Sequence, residues 1–191
     1  MALPSIRLNA PVTILYFFLA LAVTCADMVM DLTGPLAAFG PPRLTVEYGL
    51  RLLGSPLVHG DLTHLFGNFA FLLLLGPVLE NRFGSKRVLL MFLVTGAVVA
   101  ALHGLLFPGG LIGASGVVFM AVMLVAYSSA RGGGIPLTFL LIAALFLGKE
   151  ILASLNPDQV SQFAHLAGGA LGVLFGAFYR SVRLDGSSGL V

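Results

Sequence analysis

Residues 62–82 read LTHLFGNFAFLLLLGPVLENR, and the fold follows from what this stretch has to do. From Leu62 to Leu79 it is apolar over the length that crosses a bilayer core, roughly 20 residues for about 30 Å of hydrocarbon. Glu80 and Arg82 close it at one end. Inside it sit His64 and Asn68, spaced to share one face of a helix. Polar side chains are costly in lipid and by default mark functional positions.

The rest of the chain has the same character. Of 191 residues, 58% are hydrophobic and 9% charged, against about 25% charged in soluble domains. The protein is therefore read as an integral membrane protein. Its apolar runs are continuous, without the strict alternation of a membrane barrel, so the spans are helices. Six are read, over 11–26, 62–80, 87–106, 114–130, 135–153 and 162–179. This predicts an all-α bundle over 11–182, flanked by short tails at 1–10 and 183–191. Arg7 followed by an apolar run and Thr24, Cys25 and Ala26 also has the shape of a secretory signal, although the run reaches spanning length.

Arg7, Arg82, Lys86, Arg87, Arg131, Arg180 and Arg183 all fall at alternate ends of these spans. By the positive-inside rule those ends are cytoplasmic, with both termini inside. A net charge of +2 dispersed over helix ends makes no stripe for nucleic acid, which is not an expected partner. The single cysteine, Cys25, closes no internal disulfide. His59 and His64 are poorly spaced for a shared helix face and no HExxH is present, so neither a metal nor any other cofactor is expected. In the long connection over 27–61, Leu44, Tyr48 and Leu52 fall on one helical face and Glu47 pairs with Arg51. That pattern suits a short helix in the outer interface.

Helix rise places the isolated polar residues at one depth. At about 1.5 Å per residue, Ser115 lies about 24 Å above Arg131, His165 about 22 Å above Arg180, Asn68 about 21 Å and His64 about 27 Å above Arg82. Such groups must face one another or a water-filled cavity. Pro108, Gly109, Gly110 and Gly113 keep the backbone before Ser115 irregular, while Gly168, Gly172 and Gly176 let another helix approach closely. A serine needs a base to take its proton, and a neutral imidazole is the usual one, so Ser115 and His165 form a candidate dyad. Phe119 shares the helical face of Ser115 and is placed to pack on the imidazole. His64, Asn68 and the Ser115 backbone N–H are candidate oxyanion donors. Lys149 and Glu150 are read as interface anchors, and His103 as an interfacial residue near an outer helix end.

These residues resemble the rhomboid intramembrane serine proteases. Gly113, Ala114, Ser115 and Gly116 match the family's GxSG motif; His59, His64 and Asn68 match its His-x4-His-x3-Asn pattern; His165 with Gly168 and Gly172 is similar to its sixth-span histidine; Glu80 and Arg82 match its ExR pair. The resemblance runs from about His59 to Tyr179. It implies Ser115 as nucleophile, His165 as base, His64 and Asn68 as oxyanion donors, His59 as a supporting residue and a structural role for Glu80 and Arg82. It also implies single-span transmembrane proteins as substrates, cut near the outer face of a bacterial inner membrane, with the fifth span and the loop 154–161 as gate and cap. Phe119 departs from the tyrosine of many bacterial members, and the first loop lacks the family's Trp-Arg pair. Rival readings are a catalytically inactive binder of transmembrane clients, a small transporter, and an enzyme trimming C-terminal membrane anchors.

Overall fold

In the computed structural model, residues 8–129 and 159–186 are described, with isolated positions between 137 and 145. The described residues form helices α1 (Pro11–Met30), α2 (Thr33–Leu36), α3 (Val46–Gly54), α4 (Leu62–Phe83), α5 (Ser85–Leu106), α6 (Ser115–Ser128) and α7 (Gln159–Gly186). Among them α1, α4, α5 and the Gln162–Tyr179 part of α7 are long and apolar enough to cross a membrane; α6 is shorter but equally apolar. Outside the helices, the described residues hold one isolated antiparallel bridge, Ala38 to Leu111. The protein is a multi-pass helical membrane bundle. The expected fifth span, 135–153, and the proposed gate and cap lie largely outside the described residues.

Each span ends where its sequence dictates. Asp61 caps α4, its carboxylate accepting the His64 backbone N–H at 2.6 Å. This satisfies one of the free N–H groups that every helix start leaves. Gly84 takes φ +83° between α4 and α5, a turn that L side chains rarely adopt. The start of α1 lacks a local side-chain cap. Glu80 of α4 does that work, accepting the N–H groups of Val12 (3.2 Å) and Thr13 (2.8 Å), the Thr13 hydroxyl (2.8 Å) and the Ser85 hydroxyl (2.6 Å).

The core gathers where α4, α5 and α6 meet, around Leu65, Phe69, Leu72, Met91, Val117 and Met120. The closest helix pair is α6 with α7. A β-carbon on Gly168 would strike the Gly116 carbonyl, and one on Gly172 the Met120 carbonyl, so the glycine stripe of α7 lies directly on the α6 backbone.

The first connection differs from expectation in two ways. The Glu47–Arg51 pair forms at 2.9 Å on α3, but Leu44 precedes the helix and is fully exposed instead of sharing its buried face. The segment also does not stay at the interface. Pro56 packs on Gly96, and the Tyr16 hydroxyl donates to the Pro56 carbonyl at 3.0 Å. Gly96 lies about 16 Å of helix rise beyond Ser85, near the middle of a core about 30 Å thick. A turn satisfied by Tyr16 and by its own backbone bonds can descend that far because it is buried in protein.

Candidate active site

Ser115 is the first residue of α6, and the loop leading into it is held from several sides. Gly113 has φ +101°, a conformation that favours glycine, and its N–H donates to the Ser55 carbonyl at 2.8 Å. The Ala114 N–H donates to His59 Nε2 at 3.2 Å. Because Nε2 accepts, the proton sits on Nδ1, which faces the Leu57 carbonyl at 3.3 Å. Burial, helped by the neighbouring His64 and only partly opposed by the Leu57 carbonyl, pushes the His59 pKa down to about 4, so the ring is neutral. Ala38 and Leu111 exchange backbone bonds at 2.9 and 3.0 Å, and His103 Nε2 lies 2.8 Å from the Gly109 carbonyl.

Intrahelical bonding in α6 begins with the Val118 N–H, which donates to Ala114. The N–H groups of Ser115, Gly116 and Val117 are therefore free of helix partners, and the positive end of the helix dipole lies at the serine. That end favours negative charge developing beside Ser115.

His64 and Asn68 come to this turn from α4. A β-carbon on Gly113 would lie 2.8 Å from His64 Cε1, 3.0 Å from His64 Nε2 and 3.8 Å from Asn68 Nδ2. Thus both side chains reach the backbone just before Ser115. Asn68 is buried, and its Nδ2 has no hydrogen-bond partner among the described residues. His64 is exposed and stands edge-on to His59, ring centroids 5.0 Å apart.

His165 comes from α7. Its ring stacks flat on Phe119, centroids 4.1 Å apart with 3° between planes. Phe119 lies one turn below Ser115 on α6, so the imidazole sits against the first turn of that helix. Gly116 and Gly168 make this possible: Gly168 rests on the Gly116 backbone, and a β-carbon on Gly116 would lie 3.3 Å from the Ala164 carbonyl. Ser115, Gly113 and Ala164 line one small cleft, and both Ser115 and His165 are half-buried.

Six sequence-selected residues, His59, His64, Asn68, Ser115, Phe119 and His165, thus converge with Gly113, Gly116 and Gly168. Glu80 and Arg82 lie at the far end of α4, Glu80 tying α1 to α4 and Arg82 with its guanidinium 5.9 Å from the Phe83 ring centre. No cluster of residues suited to a metal occurs among the described residues. His103 lies in the last turn of α5, near a helix end as read, but it does not face the interface. It is completely buried, stacks on Phe107, and through Phe107 and Phe163 links the loop to the helix of His165. The sequence signal was available, since His103 and Gly109 flank the non-helical run before Ser115.

A family model described as Rhomboid domain matches residues 47–182. RHOMBOID-like protein 4 of Arabidopsis thaliana is 32% identical over 138 residues, covering 68% of this chain and 34% of that protein. RHOMBOID-like protein 2 of the same plant is 31% identical over 162 residues, covering 72% and 49%. The Rhomboid protease GlpG of Haemophilus influenzae is 22% identical over 136 residues, covering 70% and 71%. The matched regions span from about a third to about half of the two plant proteins.

Proposed function

The chain belongs to the rhomboid family, and from that premise we propose that it is an intramembrane serine endopeptidase whose nucleophile is Ser115 and whose general base is His165. The observation that carries this reading is the convergence on one turn of α6. His64 and Asn68 border Gly113, and His165 lies flat on Phe119.

In the proposed reaction, His165 takes the Ser115 hydroxyl proton as the oxygen attacks the scissile carbonyl. The tetrahedral oxyanion receives the Asn68 amide N–H, the His64 ring and the Ser115 backbone N–H, beside the positive end of α6. His165 returns its proton to the leaving amine, leaving an acyl-serine. Water, deprotonated by the same imidazole, then attacks and releases the acid. Where a triad uses a carboxylate to orient the imidazole, this site offers the Phe119 ring. A single-span transmembrane protein is the proposed substrate class. Its helix must unwind locally, because paired backbone groups hinder approach to the carbonyl. The proposed setting is a bacterial inner membrane with both termini cytoplasmic.

The test is cleavage of a generic single-span substrate by purified protein in lipid, alongside labelling by a fluorophosphonate. Wild type should cleave and label, while Ser115→Ala and His165→Ala should do neither. A wild-type protein that neither cleaves nor labels overturns the reading in favour of a client-binding protein.

A further inference from the structure

A groove of about 310 Å³ lies between α1 and α5, walled by Leu15 and Leu19 on one side and Leu89 and Leu93 on the other. Leu53, Pro56 and Leu57 roof it. Leu15, Leu19, Leu53, Leu89 and Leu93 are exposed, so the groove is open sideways to the surface that lipid covers. The polar side chain in its wall, Tyr16, already donates to the Pro56 carbonyl, so the lining offers an apolar ligand no unsatisfied group. The volume falls in the range of small-molecule sites, about 300–1,000 Å³.

The groove is walled on α5 from Leu89 to Gly96, about 10 Å of helix rise. Its roof meets α5 at Gly96, where a β-carbon would lie 2.8 Å from Pro56 Cγ. Lys86 precedes Leu89 by one turn on the same face of α5 and is exposed. From Lys86 to Gly96 the helix rises about 15 Å, half of a core about 30 Å thick. Among the described residues Lys86 makes no ion pair, and the neighbouring acid, Glu80, is engaged by Val12, Thr13 and Ser85, so the Lys86 ammonium is available to an anion at headgroup level.

We infer that this groove binds one anionic phospholipid of the leaflet at the Lys86 end, its phosphate at Lys86 and one acyl chain filling the groove up to Pro56. Pro56 and Leu57 of the roof stand between Ser55, which holds the Gly113 N–H, and His59, which holds the Ala114 N–H. A tail beneath it braces the segment that positions the loop before Ser115. The site stands independently of the proteolytic reading.

The test uses detergent-purified, delipidated full chain with phosphatidylglycerol carrying a photoreactive diazirine at the tail end, and phosphatidylcholine of equal chain length for comparison. Wild type should retain one equivalent of phosphatidylglycerol and cross-link within Leu52–Leu57 and Leu89–Gly96. Lys86→Glu should weaken phosphatidylglycerol retention roughly fivefold or more and leave phosphatidylcholine unchanged. Leu93→Trp, or Leu15→Trp should the first fail to fold, should abolish the cross-link without lowering the melting temperature. Equal retention of the two lipids, cross-links spread over every lipid-facing helix, or a cross-link indifferent to the tryptophan each overturn the inference. So does displacement of the lipid by a transmembrane peptide, which would make the groove a protein-docking face.

Discussion

The amide nitrogen of Asn68 is buried and, among the described residues, lacks a hydrogen-bond partner. Leaving such a donor unmet costs about 1–3 kcal/mol, and in the proposed reaction the oxyanion accepts its N–H. Asn68→Ala should therefore lower kcat roughly 10²–10³-fold, the effect of removing one oxyanion donor, while leaving the melting temperature unchanged or raised. Steady-state kinetics beside thermal unfolding check this; a lower melting temperature with kcat intact would make Asn68 structural. His59 supplies a pH prediction. Its folded pKa, about 4, lies below its ordinary value of 6.5, so the unfolded chain binds its proton more readily. The stability this neutral ring gives is complete above about 6.5 and is lost as pH falls through about 4. The melting temperature should fall over that window, and His59→Gln, which keeps an acceptor for Ala114, should flatten the fall. Ser115, His165, His64 and Asn68 were legible as isolated polar residues in apolar runs. The resemblance implied a supporting role for His59, but which backbone groups His59 and His103 hold was not legible, because a hydrogen bond to a distant backbone leaves no periodic mark on the sequence.

At the scale of elements, the start of α1 is capped from α4, and the loop leading into α6 is held from elsewhere in the fold. Glu80→Ala would leave the Val12 and Thr13 N–H groups without their cap and should cost about 1–3 kcal/mol, read by denaturant titration in micelles. A variant as stable as wild type would show that the cap contributes nothing. The α6–α7 contact governs the site directly. Gly168→Val would drive α7 off the Gly116 carbonyl and separate the Phe119–His165 stack, so fluorophosphonate labelling should fall even where the protein still folds. The glycine stripe was readable from its four-residue spacing, whereas its partner helix was only conditional. Small residues announce a close approach without naming what approaches.

Across the whole molecule, the Glu80 contacts set the start of α1 level with the junction of α4 and α5, and the segment over 107–114 lies at the opposite end of α5. In a Cys25→Ser background, Gly109→Cys and Lys86→Cys should be labelled by a membrane-impermeant thiol reagent from opposite sides of the bilayer. Labelling of both from one side would overturn the bundle topology. Composition and run length alone determined that the chain is a helical membrane protein, and helix rise alone brought four polar residues to one depth, since both depend on regular geometry counted along the chain. Only the tertiary structure decided that the segment after α3 descends to the level of Gly96, that Glu80 caps α1 and that His59 and His103 hold the loop before Ser115. Those outcomes rest on contacts between residues far apart in sequence, where steric fit and the need to satisfy buried backbone groups select the partner.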